Sequence, residues 1–139
     1  MRYYEYRHRV SFEETNVVGN VYFTNYLLWQ GRCREMFLYE HVPELMPEMG
    51  RGLALATTRV ACHFYRELAA FEEIAIRMSA SAMTPSRLTM AFQYFRVTPE
   101  GPQNWWPKAN RRWPACVLSV NAWSRRHCPR SCAMRWSFT

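Results

Sequence analysis

Large apolar and polar side chains alternate from Tyr4 to Phe12, the period of a strand with one buried face. A polar loop interrupts the alternation, and a helical period takes over from about Tyr22 to Glu40. Projected at about 100° per residue, Phe23, Tyr26, Leu27, Gln30, Cys33, Arg34, Phe37 and Leu38 share one face. Gly31 sits at its margin, where a missing side chain lets a helix approach a sheet closely. Pro43 and Pro47 end the helix. Strand-like runs follow at Leu53 to Tyr65, Glu72 to Met83 and Arg87 to Val97. Thr84-Pro85-Ser86 reads as the turn of an antiparallel hairpin, and Thr98-Pro99-Glu100-Gly101 as a second turn. This order predicts an α+β domain, with one helix packed on one antiparallel sheet.

After Pro102 the pattern breaks. Trp105-Trp106-Pro107 and Arg111-Arg112-Trp113-Pro114 put prolines where a further strand is due. We read residues 1–102 as the folded domain and residues 103–139 as an atypical basic, Trp-rich, poorly ordered tail produced by a shift of reading frame. Permissible codons for Gln103 to Val117, read two bases later, encode Glu-Leu-Val-Ala-Lys-Gly-Glu-Gln-Thr-Val-Ala-Cys-Met-Arg. That peptide alternates like the missing strand. The other reading is a genuine basic tail, and the DNA around the Gln103 codon decides between them.

Composition sharpens this division. The chain has 139 residues, enough for one domain. Its net charge of +7 is misleading: residues 1–102 hold 11 basic and 11 acidic residues and are neutral. The other seven Lys and Arg, and five of the six Trp, lie in the tail. Nucleic-acid or membrane binding therefore rests on the tail alone, and neither partner is expected of the folded body. The N-terminus has no apolar run of signal-peptide or membrane-spanning kind, so a cytoplasmic location is expected. Cys33 and Cys62 read as small buried residues. Cys128, Cys132 and His127 make an incomplete ligand set, so neither metal nor cofactor is expected. The chain contains no Asp, which removes several hydrolytic mechanisms at once.

Candidate chemistry concentrates where the loop opens onto the helix. Free backbone N–H groups and the positive end of the helix dipole suit an anionic or carbonyl-bearing ligand there, with the amides of Gly19, Asn20 and Val21 as donors. Asn16 would orient substrate or water, or stabilise the turn through its own side chain. Arg34 leans inward, and a buried guanidinium must meet a carboxylate, carbonyls or a ligand. It would hold a carbonyl or oxyanion, pair with Glu35 of a neighbouring subunit, or extend to solvent. Tyr26, Gln30 and Arg34 form one row at i, i+4, i+8. Tyr26 would bond substrate or pack through its ring, and Gln30 reads as structural. Glu14 and Glu35 are the nearby carboxylates, each a candidate base, with a solvated surface role favoured for Glu14; His8 and His63 read as packing or surface residues.

The run Thr15-Asn16-Val17-Val18-Gly19-Asn20-Val21-Tyr22, followed by Asn25-Tyr26 and Trp29-Gln30-Gly31-Arg32-Cys33-Arg34-Glu35-Met36-Phe37, resembles the hotdog-fold thioesterases of the 4-hydroxybenzoyl-CoA thioesterase type. More narrowly it resembles the acyl-carrier-protein thioesterases of enediyne polyketide pathways, over about residues 3–102. The resemblance implies an antiparallel sheet wrapped around one long central helix, in a homodimer or homotetramer. It implies a thioester hydrolase that releases a long unsaturated chain from an acyl carrier protein. Loss of carbon dioxide from the released β-keto acid is known in that family. The broader group carries an Asp at the position of Asn16. The enediyne subgroup lacks it, which leaves Arg34, Asn16 and loop amides to polarise the carbonyl. An acyl-binding protein without turnover is the main rival reading, since an amide cannot act as a base at neutral pH. A tail-driven nucleic-acid or membrane binder is the third.

Overall fold

A computed structural model of the chain describes residues 2–104 and 116–124. Strand β1 spans Tyr4–Arg9 and leads through a 3-10 turn at Phe12–Glu14 to helix α1, Thr24–His41. A short helix α2, Leu45–Met49, precedes β2 (Leu53–Cys62), β3 (Glu73–Met83), β4 (Arg87–Thr98), β5 (Gly101–Asn104) and β6 (Cys116–Ser124). The sheet is antiparallel with the order β1-β3-β4-β6-β2, and β5 pairs with β4.

The period-2 pattern becomes a set of cross-strand stacks. Tyr6, Ile76 and Tyr94 face one another across β1, β3 and β4, and Met78 opposes Phe92, which opposes Cys116. Leu88 and Met90 pair with Val120 and Leu118 in the same way. These side chains pack with Tyr26, Trp29, Cys33, Phe37 and Leu38 of α1 into one core. Such opposed apolar pairs are the unit of sheet stability. Register irregularities at Thr57/Arg59 and Ala80/Ala82 add residues to β2 and β3, and bulges of this kind increase twist and let a sheet curve around a helix.

Four expectations change. The first strand ends at Arg9, because Phe12 begins the 3-10 turn and stands exposed. The third element ends at Cys62 rather than Tyr65. Trp29 joins the buried helix face, whereas Phe23 at the first turn is about half exposed. Cys62 is not a lone small residue: it is disulfide-bonded to Cys116, its direct partner across β2 and β6.

The sheet also continues past Pro102. Strand β6 lies between β4 and β2, with Cys116, Leu118 and Val120 turned into the core. Residues 105–115 and 125–139, with the possible metal ligands Cys128, Cys132 and His127, lie outside the described residues.

Candidate active site

The loop from Glu14 to Tyr22 is built on one buried carboxylate. Glu14 accepts hydrogen bonds from the Ser11 N–H (2.9 Å), the Ser11 hydroxyl (2.9 Å) and the Trp29 indole N–H, and its Oε1 lies 2.7 Å from His8 Nε2. Its carbonyl accepts from the Tyr22 N–H (2.9 Å) and from Asn25 Nδ2 (2.8 Å). One residue thus ties β1, the 3-10 turn, the loop and α1 together. Burial pushes its carboxyl upward, but the bonds from Ser11, His8 and Trp29 outweigh that and hold it down at about 2. Glu14 is a buried, charged anchor and not the solvated carboxylate expected. His8 faces inward as its neighbour, with its ring 4.9 Å from that of Trp29. The sequence signal was present: Ser11-x-x-Glu14 has the spacing of a capping box.

Asn16 sits at the turn above this anchor. Its Oδ1 accepts from the N–H groups of Val18 (3.1 Å) and Asn20 (3.2 Å), so the turn-stabilising bond is formed. Asn16 also exchanges backbone bonds with Asn20 and Gly19: its N–H reaches the Asn20 carbonyl, and the Gly19 N–H reaches its carbonyl. Gly19 holds φ at 86°, the left-handed region that makes glycine the natural residue at this bend. The Val21 N–H donates to the Leu68 carbonyl at 2.8 Å. The amides of Gly19, Asn20 and Val21, expected as oxyanion donors, are therefore all engaged within the fold. These residues shape the loop, and they leave Val17 and Val18 at its exposed tip.

A second segment covers the helix start. Asn20 Nδ2 donates to Glu67 at 2.7 Å, and Asn20 forms a bridge with Ala69. The Phe64 ring meets Tyr26 at 5.3 Å and Phe23 at 6.2 Å. Residues 63–69 and 15–22 thus close over the N-terminus of α1 together.

Along the helix, the expected row separates into two kinds of residue. Tyr26 is buried against Trp29, Phe64 and Tyr94, and burial followed by the charges of Glu67 and Glu72 pushes its hydroxyl upward. Gln30 is buried, donating from Nε2 to the Tyr94 hydroxyl at 3.0 Å, and Tyr94 donates in turn to the Tyr26 carbonyl at 2.9 Å. Arg34 is half-buried, and its buried Nε has no hydrogen-bond partner among the described residues. The structure therefore brings Asn16, Gly19, Asn20 and Val21 into one loop beside Tyr26, with Arg34 two helical turns further along α1. No group of three potential metal ligands occurs among the described residues.

A sheet curved around one long helix, with a polar loop at the helix start, is the hotdog architecture. No protein-family model and no curated protein matches the chain. Among solved structures it is 36% identical to the dynemicin thioesterase, with a TM-score of 0.83, covering 98% of this chain and 96% of that one. It also superposes on Slr0204, a 1,4-dihydroxy-2-naphthoyl-CoA thioesterase from Synechocystis, at 11% identity and a TM-score of 0.79, covering 97% and 96% of the two chains. A third likeness, to the BH1999 gentisyl-coenzyme A thioesterase, has 17% identity and a TM-score of 0.69, with 96% and 98% covered. The two distant likenesses carry the fold. The first, at its identity and coverage, carries the family: the chain belongs to the hotdog-fold thioesterases, alongside the dynemicin enzyme, and is a thioester hydrolase.

Proposed function

We propose that the protein hydrolyses the thioester linking a long unsaturated polyketide chain to the phosphopantetheine arm of an acyl carrier protein, in an enediyne pathway. The observation that carries this reading is the full-length likeness to the dynemicin thioesterase, whose crystal structures concern polyene binding. The side chains are consistent with it. Arg34 offers a half-buried guanidinium with five N–H donors, enough to hold a developing oxyanion and then the product carboxylate. Asn16 commits its Oδ1 to the loop, so what it can offer a carbonyl is the N–H of its amide. Catalysis then rests on positioning and electrostatics, without a carboxylate base at residue 16, and turnover is slow. Decarboxylation of a released β-keto acid would follow as a separate step. The working form is a homodimer or homotetramer.

Acyl-pantetheine thioesters with thiol detection test the reaction. Hydrolysis by the wild type and its loss on Arg34→Ala, by roughly 100-fold or more given the value of one oxyanion donor, is the expected result. Acyl binding without thiol release would instead favour the second reading, an acyl-binding protein. That reading draws on the same Asn16, which replaces an acid and is tied to its own turn.

A further inference from the structure

Gln30 reads from sequence as structural, yet only half of its amide is used by the fold. Tyr94 spends its hydroxyl proton on the Tyr26 carbonyl, so towards Gln30 it can only accept. That fixes the amide orientation, with Nε2 on Tyr94 and Oε1 turned away. Oε1 is buried without a partner among the described residues, in a side chain that is 1% exposed. One turn along α1, Arg34 Nε is a buried donor without a partner. Residues four apart lie on the same helix face about 5–6 Å apart at Cβ. A lone acceptor one helical turn from a lone donor on the same face matches a single chemical group, one that donates to the first and accepts from the second. A thioester carbonyl cannot donate, and an ammonium cannot accept. An O–H group does both.

We infer that Gln30 Oε1 and Arg34 Nε hold one O–H group between them, and that in the free enzyme this group is the water that attacks the thioester. The inference rests on the thioesterase reading and supplies what Asn16 cannot, an acceptor for the nucleophile's hydrogen. Gln30 is not a base. It aligns the water, whose oxygen bonds to the carbonyl carbon while the carbon–sulfur bond breaks. One water proton ends on the leaving sulfur and the other is released as the product acid ionises. A hydroxyl on the acyl chain has the same chemistry, so it competes for the same place.

Two measurements test this. First, a crystal structure of the unliganded protein should show an oxygen within hydrogen-bond distance of both atoms. A direct Oε1–Nε bond, or a partner subunit's side chain in that place, overturns the inference whatever the activity. Second, steady-state kinetics are compared on two acyl-pantetheine thioesters that differ only by a 3-hydroxyl. Gln30→Met should lower kcat roughly 10- to 100-fold, as expected for a misplaced nucleophile, with KM little changed on both substrates. A KM increase confined to the hydroxylated substrate assigns the place to the substrate's hydroxyl instead of water. Gln30→Glu keeps an acceptor and, only when protonated, a donor to Tyr94. It should therefore restore turnover only where that carboxyl is protonated, a limb in the pH profile that a packing role would not create. A folded Gln30→Met enzyme with wild-type kcat and KM on both substrates sinks the inference. A wild type inactive on every thioester sinks the thioesterase reading, and the water site then stands or falls by the crystal structure.

Discussion

Glu14 shows how much one side chain can decide. The folded protein holds its carboxyl at about 2, against an ordinary 4.5. Its stabilising contribution is therefore complete above about 4.5, declines as pH falls and is gone below about 2. The shift corresponds to about 3 kcal/mol. Glu14→Gln should accordingly cost about 2–3 kcal/mol at neutral pH, through the lost charge-assisted bonds to Ser11, His8 and Trp29. Denaturant unfolding should show the two proteins converging towards pH 2, and a gap unchanged from pH 7 to 2 would contradict the account. This role was partly legible in the chain, since Ser11 and Glu14 have capping-box spacing. The contacts from His8 and Trp29 were not, because they depend on how β1 and α1 pack in three dimensions.

Between elements, the loop at 15–22 and the segment at 63–69 are held by an exposed side-chain bond, Asn20 to Glu67, and by backbone pairing at Val21 and Leu68. An exposed pair of this kind contributes little to global stability, about 0.2–1 kcal/mol. Its effect should fall on the site it borders. Glu67→Ala should leave the thermal midpoint within about 2–3 °C, given that small energy and a domain of this size. KM for acyl-pantetheine should rise several-fold, and a lowered midpoint with unchanged KM would reverse the assignment. The strands up to Thr98 were readable because alternation and turn chemistry agreed. Strand β6 was passed over because Pro107 and Pro114 dominate the stretch before it, although Cys116, Leu118 and Val120 carry the same period. The Asn16 turn could be anticipated from residue type, but the use of the Gly19, Asn20 and Val21 amides within the loop could not.

For the whole molecule, the sheet order among the described residues leaves β2 at one end, with Ala54, Ala56, Arg59 and Val60 among its exposed residues. A long edge strand with exposed apolar side chains is a template for pairing, which fits the proposed oligomer. Light scattering should give the mass of a dimer or tetramer, and Ala56→Lys with Val60→Lys should shift it towards the monomer. An unchanged mass in the double variant would place the interface elsewhere. Strands β5 and β6 both pair with β4, opposite Phe95–Thr98 and Arg87–Phe92.

The pairing of β6 with β4 carries a consequence for how this fold tolerates change. Of the residues from Cys116 to Val120, those whose inward side chains oppose β4 at Phe92, Met90 and Leu88 are Cys116, Leu118 and Val120. The backbone supplies the ladder itself, whatever the side chains. A closing strand therefore demands little information: apolar residues at every second position, of roughly suitable volume. Many unrelated codon strings meet so loose a specification. The helix and its loop, where Glu14 and Asn16 hold the chain through particular functional groups and Gln30 and Arg34 are the proposed site residues, meet it with very few. Mutational drift should accordingly be wide at the end of this chain and narrow near its beginning.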